Sequence, residues 1–219
     1  MDFAFISRYA PLYVEAAGLT IRTAVVGILF SILLGFGISL IRYLNIPVFK
    51  QIAGIYVELS RNTPLLIQLF FLYFGLPKMG IQLSSEHCAV IGLIFLGGSY
   101  MAEAFRSGLE AIPDIQTESG LSLGLKKWQI IWYIILPQAV SVSMPAFSAN
   151  IIFLIKETSV FSAVALADLM YVAKDLIGLY YQTEEALLML VIAYAMILLP
   201  ISALLSLVER RVNYAGFGH

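Results

Sequence analysis

Apolar residues run along this chain in blocks about as long as a lipid bilayer is thick. A spanning helix needs roughly 20 mostly apolar residues. The first block, Thr23 to Ile41 (TAVVGILFSILLGFGISLI), has no charge. The second runs from about Ile52 to Leu76; it is clean after Asn62 but carries Glu58 and Arg61 in its first half. The third extends from His87 to Arg106, with Glu103 in its last turns. The fourth, Pro137 to Ile155, is interrupted by Pro145, and the fifth, Ala186 to Val208, contains Pro200 and no charge. A further stretch, Ser159 to Met170, is too short to cross alone and reads as a re-entrant or interfacial helix. The pattern predicts an all-α integral membrane protein with about five transmembrane helices. The first 18 residues, MDFAFISRYAPLYVEAAG, lack the basic start, apolar middle and small-residue end of a signal peptide. They read as a short amphipathic segment on the membrane surface.

Composition agrees with that pattern. Of 219 residues, 60% are hydrophobic and 12% charged, whereas soluble domains are about half apolar and a quarter charged. A net charge of −1 leaves no basic footprint for nucleic acid. Cys88 is the single cysteine, so no internal disulfide can form. A lone His87 beside it makes no metal site, and both read as packing residues. Five spans put the termini on opposite sides. With the C-terminus inside, the inner loops hold Arg42, Lys50, Arg106, Lys126, Lys127, Arg210 and Arg211, and the outer segments hold fewer cations. The positive-inside rule therefore predicts the N-terminus outside and the C-terminus in the cytoplasm.

Ionisable groups inside apolar spans are costly and mark functional candidates. Glu58 and Arg61 are three residues apart on one helix face, where they could pair. Alternatively, Arg61 is free to hold a carboxylate with its planar fork. Asn62 and Thr63 would add hydrogen bonds, and Pro64 would loosen the helix to expose backbone groups. Lys156, Glu157 and Thr158 follow the Pro-broken fourth span. Either Lys156 and Glu157 snorkel to the interface, or Lys156 meets a substrate carboxylate and Glu157 an amino group. Glu103 and Arg106 read as a salt bridge near the inner surface. Gly97 and Gly98, followed by Ser99, predict close helix packing. No nucleophile with a base at readable spacing appears, which argues against an intramembrane enzyme.

Between the third and fourth spans the chain reads IPDIQTESGLSLGLKKWQIIWYIILPQA. Pro113 and Asp114 suit a helix start. Gly124 suits its end, and Lys126 and Lys127 follow where cations are favoured. A second, amphipathic segment is expected from about Trp128 to a break at Pro137. A short helix, a glycine turn and a surface segment suit docking into a groove on a soluble partner. Gly120, Gly124 and Lys126 do not make a phosphate loop, because the glycine spacing is short and no hydroxyl follows the lysine. The chain therefore has no expected ATP site of its own.

These residues carry a resemblance. Glu118-Ser119-Gly120, Gly124 and Ile134-Ile135-Leu136-Pro137 resemble the EAA motif of bacterial ABC importer membrane subunits. YVELSRNTPLLIQLFFLYFGLP (Tyr56 to Pro77), YMAEAFRSGLEAIP (Tyr100 to Pro113), LPQA (Leu136 to Ala139) and LIKETSVFSAV (Leu154 to Val164) resemble blocks of the polar amino acid permeases. The likeness runs from about residue 19 to 211. It departs at Ser119 and Gly120, where the motif has alanines, at Asp114-Ile115-Gln116, at Asn62 in place of glycine, and at Glu157 in place of aspartate. The resemblance implies a MetI-like permease fold in the bacterial cytoplasmic membrane. A permease domain would span 19–211, after an extracytoplasmic segment 1–18 and before a cytoplasmic tail 212–219. It implies that Glu118, Ser119, Gly120, Gly124 and Pro137 serve coupling to cytoplasmic ATPase subunits, which would bind ATP and Mg; this chain would carry no cofactor. It further implies a second permease subunit, identical or not, an extracytoplasmic substrate-binding protein and a polar amino acid as substrate. Arg61, Asn62, Thr63, Lys156, Glu157 and Thr158 are the pathway candidates. The rival reading is a stand-alone carrier using buried acids such as Glu58 and Glu157 for proton coupling; the internal repeats common in such carriers are not evident.

Overall fold

A computed structural model describes residues 1–216, so the end of the expected tail, 217–219, lies outside the described residues. Every regular element among them is helical. Four helices are long and apolar enough to cross a membrane. A fifth crossing is assembled from short pieces.

Helix α1 spans Phe3–Tyr43. Asp2 starts it, accepting from the amides of Ala4 and Phe5 through its carboxylate and satisfying two donors that a helix start leaves open. The N-terminal segment is thus continuous with the first span and does not form a separate surface helix. Pro11 falls inside it. At 1.5 Å per residue α1 is about 60 Å long, twice the hydrocarbon thickness of a bilayer.

The second block does not form one helix. Helix α2 (Phe49–Arg61) stops at Asn62, and α3 (Leu65–Phe70) restarts after Pro64. A π-turn at Phe71–Gly75 and a 3-10 turn at Leu76–Met79 complete the segment. Helix α4 (Ser85–Glu110) is the most buried of the spans. Small residues let it lie close to α1: a Cβ on Gly27 would sit 2.6 Å from Leu93, and one on Gly97 would run into Ser31 and Leu154. Ser31 Oγ is shared between the carbonyls of Gly27 and Leu93. Close backbone approach through small residues is how helices pack where lipid supplies no hydrophobic drive, so the expected packing role of the Gly97–Gly98 pair holds.

After α5 (Asp114–Ser122) the chain does not travel along a surface and break at Pro137. Short helix α6 (Lys127–Ile130), a π-turn (Ile131–Ile135) and α7 (Leu136–Glu157) run on as one span. Proline removes a backbone donor and crowds the carbonyl four residues back. Here the widened turn makes room: the Leu136 amide donates to Ile131, and the Gln138 side chain donates to the Ile134 carbonyl at 2.8 Å. Pro145 is exposed, and α7 continues through it.

The short helix expected at Ser159–Met170 lies later. Residues Thr158–Val164 form a 3-10 turn, Ala165 takes a left-handed conformation, and α8 occupies Leu169–Tyr180 behind Asp168 as its cap. Helix α9 (Thr183–Gly216) closes the bundle. It returns beside the start of α1, where the Asp2 amide donates to Glu185 at 2.8 Å and the Tyr13 hydroxyl to the Ala186 carbonyl at 2.7 Å.

Candidate functional site

The break between α2 and α3 is held open by side chains. Asn62 Nδ2 donates to the Glu58 carbonyl (2.8 Å) and lies 3.2 Å from the Glu58 carboxylate. Thr63 Oγ1 donates to Leu59 at 2.8 Å. Gln68, on α3, reaches back across the gap and donates to the carbonyls of Ser60 and Thr63 at 3.2 and 3.0 Å. Carbonyls freed at a helix end buried in protein must find donors, and Gln68 supplies them. Ser60 Oγ lies within hydrogen-bond distance of the Phe95 carbonyl and of Ser99 Oγ, and Tyr56 donates to Phe95 at 2.7 Å. These bonds fix the end of α2 to α4.

Beside the break lies a cavity of 340 Å³ lined by Arg61, Asn62, Thr63 and Pro64 of the break, Leu96 and Tyr100 of α4, and Phe153 and Glu157 of α7. The fold therefore brings together Arg61, Asn62, Thr63 and Glu157 from two candidate clusters almost 100 residues apart in sequence. It does not bring Lys156 or Thr158. Lys156 is exposed and does not line the cavity. Thr158 is buried, donates to Ile155 at 2.7 Å and sits 3.3 Å from the Tyr194 hydroxyl of α9.

The Glu58–Arg61 pair suggested by spacing does not form. Arg61 turns towards α4, its guanidinium 5.2 Å from the centre of the Tyr100 ring and 3.8 Å from Glu103. The expected Glu103–Arg106 bridge is present at 2.7 Å and belongs to a larger cluster. Glu103 also takes Arg42 from the end of α1 at 2.5 Å, and Arg106 takes Glu110. Tyr100, Glu103, Arg42 and Gln68 were not legible as parts of one site. Only the three-residue spacing of Tyr100 and Glu103, which puts them on one face of α4, hinted at it.

At the far end of α4, the loop is built as a helix with a left-handed stop. Gly124 has φ +78, its amide donates to Leu121, and the Leu125 amide donates to Gly120. That is the paired bonding of a Schellman end, where glycine avoids the clash of a Cβ. No neighbour crowds Gly124 itself, so its requirement is conformational. Gly120 is different: it is buried, and a Cβ there would sit 2.8 Å from Ile130. The departure from alanine at this position thus seats α5 against α6. Leu125, Ile112 and Ile134 pack around Leu109, Ile130, Ile135 and Ala139 to hold the loop. Glu118 and Ser119 face outward, with Ile115, Leu121 and Leu123 also exposed. Pro137 lies beyond, in the first turn of α7.

A helix break lined by opposite charges and a loop helix with exposed apolar side chains suit a transport channel with an external drive. Comparisons with known proteins bear on this. The chain is 31% identical over 217 residues to the probable amino-acid ABC transporter permease protein PatM of Vibrio harveyi, covering 98% of this chain and 97% of that one. It is 29% identical to the glutamine transport system permease protein GlnP of Escherichia coli K12, covering 97% and 98%. A chain in the crystal structure of an amino acid ABC transporter with histidines superposes with a TM-score of 0.89 at 31% identity, over 96% of this chain and 99% of that one. Such likeness supports a permease subunit over a stand-alone carrier. Residues 27–214 match the family described as binding-protein-dependent transport system inner membrane component, and the chain belongs to that family.

Proposed function

We propose that this chain is the pathway-forming subunit of an importer for polar amino acids, with the cavity at the α2–α3 break as its substrate site. The observation that carries the reading is that Arg61 and Glu157, of opposite charge, line one 340 Å³ cavity. An amino acid backbone carries a carboxylate and an ammonium group, and a lining group of each sign complements both. The Arg61 fork receives the carboxylate through paired N–H donors, Glu157 receives the ammonium group, and Asn62 and Thr63 line the path between. Tyr100 and Phe153 provide apolar surface that keeps water from screening these contacts. Lys156 and Thr158, away from the cavity, serve the pathway only indirectly: Thr158 positions the turn after α7 against α9.

In the same reading, α5 docks into a cytoplasmic ATPase subunit that binds ATP and Mg. The exposed apolar side chains Ile115, Leu121 and Leu123 around Glu118 and Ser119 support this, since such residues project where no bundle contact uses them. A second permease subunit completes the pathway, and a substrate-binding protein delivers ligand to the opposite face. The chain sits in the bacterial cytoplasmic membrane with its N-terminus outside and the loop and C-terminus in the cytoplasm.

The test is ATP hydrolysis by the purified complex with its co-purifying subunits, titrated with free L-amino acids in the presence of the binding protein. One or more amino acids should stimulate the wild-type complex, and Arg61→Ala should lose at least tenfold in apparent affinity with assembly unchanged. Stimulation equal to wild type in Arg61→Ala would remove Arg61 from the site.

A further inference from the structure

Glu103 occupies an odd position. It is the negative centre of a cluster drawn from three helices, with Arg42 from α1, Arg61 from α2 and Arg106 from α4. Its acceptors are already in use. Oε1 takes Arg42 Nη1, and Oε2 takes both Nε and Nη2 of Arg106 at 3.0 and 2.7 Å. Arg61, at 3.8 Å from Oε2, is beyond hydrogen-bond range. Its side chain is 43% exposed against 19% for Glu103. Among the described residues it makes no side-chain hydrogen bond; only the Tyr100 ring and the distant Glu103 charge hold it. Three arginines face two glutamates, since Glu110 binds Arg106 on its outer side. One positive charge is left over, and the loosest member of the cluster is the one that lines the cavity.

We infer that Glu103 is a built-in competitor for Arg61: a positioning carboxylate that holds the guanidinium over Tyr100 while the cavity is empty, and yields it when a ligand carboxylate arrives. The inference rests on the substrate site proposed above. Its physical basis is that Glu103 acts on the ligand twice. It holds Arg61 back against Tyr100 at the cavity wall, and its negative charge repels an entering carboxylate. Both effects fall with distance and are screened only weakly in a partly buried site. Arg42 and Arg106 moderate them by occupying the Glu103 oxygens, so the ends of α1 and α4 set how strongly Arg61 is withheld. Ligand affinity and the packing of these helix ends are then linked: a ligand that draws Arg61 off favours a Glu103 bound wholly by Arg42 and Arg106. By reciprocity, a change at Arg42 must be felt in the cavity.

The experiment is calorimetric titration of the permease co-purified with its partner subunits. The probes are L-arginine, L-glutamine, L-glutamate and L-histidine, and the carboxamide of whichever binds best. Glu103→Gln removes the competitor and should tighten the free amino acid about tenfold, leave its carboxamide unmoved, and have a much smaller effect in an Arg61→Gln background, where only the direct repulsion is left to remove. Arg42→Gln releases Glu103 Oε1 towards Arg61 and should weaken the amino acid severalfold. This second variant keeps the test decisive if Glu103→Gln does not assemble. Unchanged or weaker binding in Glu103→Gln, equal shifts for acid and amide, or an Arg42→Gln affinity equal to wild type would each overturn the inference while leaving the substrate site standing. If none of the four amino acids binds the wild-type complex, the site itself fails, and this role of Glu103 with it.

Discussion

At the scale of single residues, the loop glycines separate two demands that look alike in a sequence. Gly124 needs a left-handed backbone in open space, and Gly120 needs room against Ile130. Asparagine tolerates the left-handed region better than a branched residue. Gly124→Asn should therefore keep α5 folded, while Gly124→Val destabilises its end by about 1–2 kcal/mol. Hydrogen exchange of the Leu121–Leu125 amides should show faster exchange in Gly124→Val than in Gly124→Asn; equal rates would refute a conformational role. The glycine at 124 was legible as the stop of the short loop helix, just before the paired lysines, but the demand at Gly120 was not, because the residue it touches lies in another element. The same limit explains the Glu58–Arg61 error. Sequence spacing reports neighbours along one helix, whereas the charges of Arg61 and Glu103 meet across two helices and outweigh the local option.

At the scale of elements, prolines misled more than glycines. Pro137 and Pro145 suggested breaks, yet α6 and α7 run on because a π-turn absorbs Pro137 and α7 carries Pro145 on its exposed side. Pro64, by contrast, marks a real interruption within an apolar block, and there polar neighbours, above all Gln68, take up the freed carbonyls. The position of α8 was legible in principle from Asp168, a favoured cap residue before an apolar run. Asp168 is fully buried; its Oδ1 accepts from the Tyr171 amide at 2.8 Å, and its Oδ2 has no partner among the described residues. Burial pushes its pKa from 3.8 up to about 7. A carboxylate raised in this way favours the fold while protonated. Its contribution is complete below about pH 4 and is lost as pH rises through 7. The melting temperature of the wild type should fall between pH 5 and pH 8. Asp168→Asn, which keeps a cap, should flatten that fall; an identical pH profile in the variant would refute the assignment.

At the scale of the whole molecule, the order of the spans was legible from hydropathy because lipid imposes length and apolarity on each crossing. Their bounds were not, since α1 and α9 run well past the apolar blocks that announce them. The proposed orientation can be read directly, because the single native cysteine, Cys88, is fully buried. Cysteines placed at exposed Met79 and Lys126 report opposite ends of the bundle. In intact cells a membrane-impermeant thiol reagent should label Met79→Cys and spare Lys126→Cys until the membrane is opened. The reverse pattern would invert the topology and place the loop helix outside.

The bond between the Asp2 amide and Glu185, 183 residues apart, also has a meaning for synthesis. Asp2 leaves the ribosome long before its partner is made, and Tyr13 waits likewise for Ala186. The first helix therefore enters the bilayer with its N-terminal end untied, and that end is fastened only when α9 arrives. A nascent chain stopped before Glu185 would hold most of its spans and still lack its clasp. Such a chain would be more open to membrane proteases, whereas a chain that carries α9 has it bonded to the start of α1.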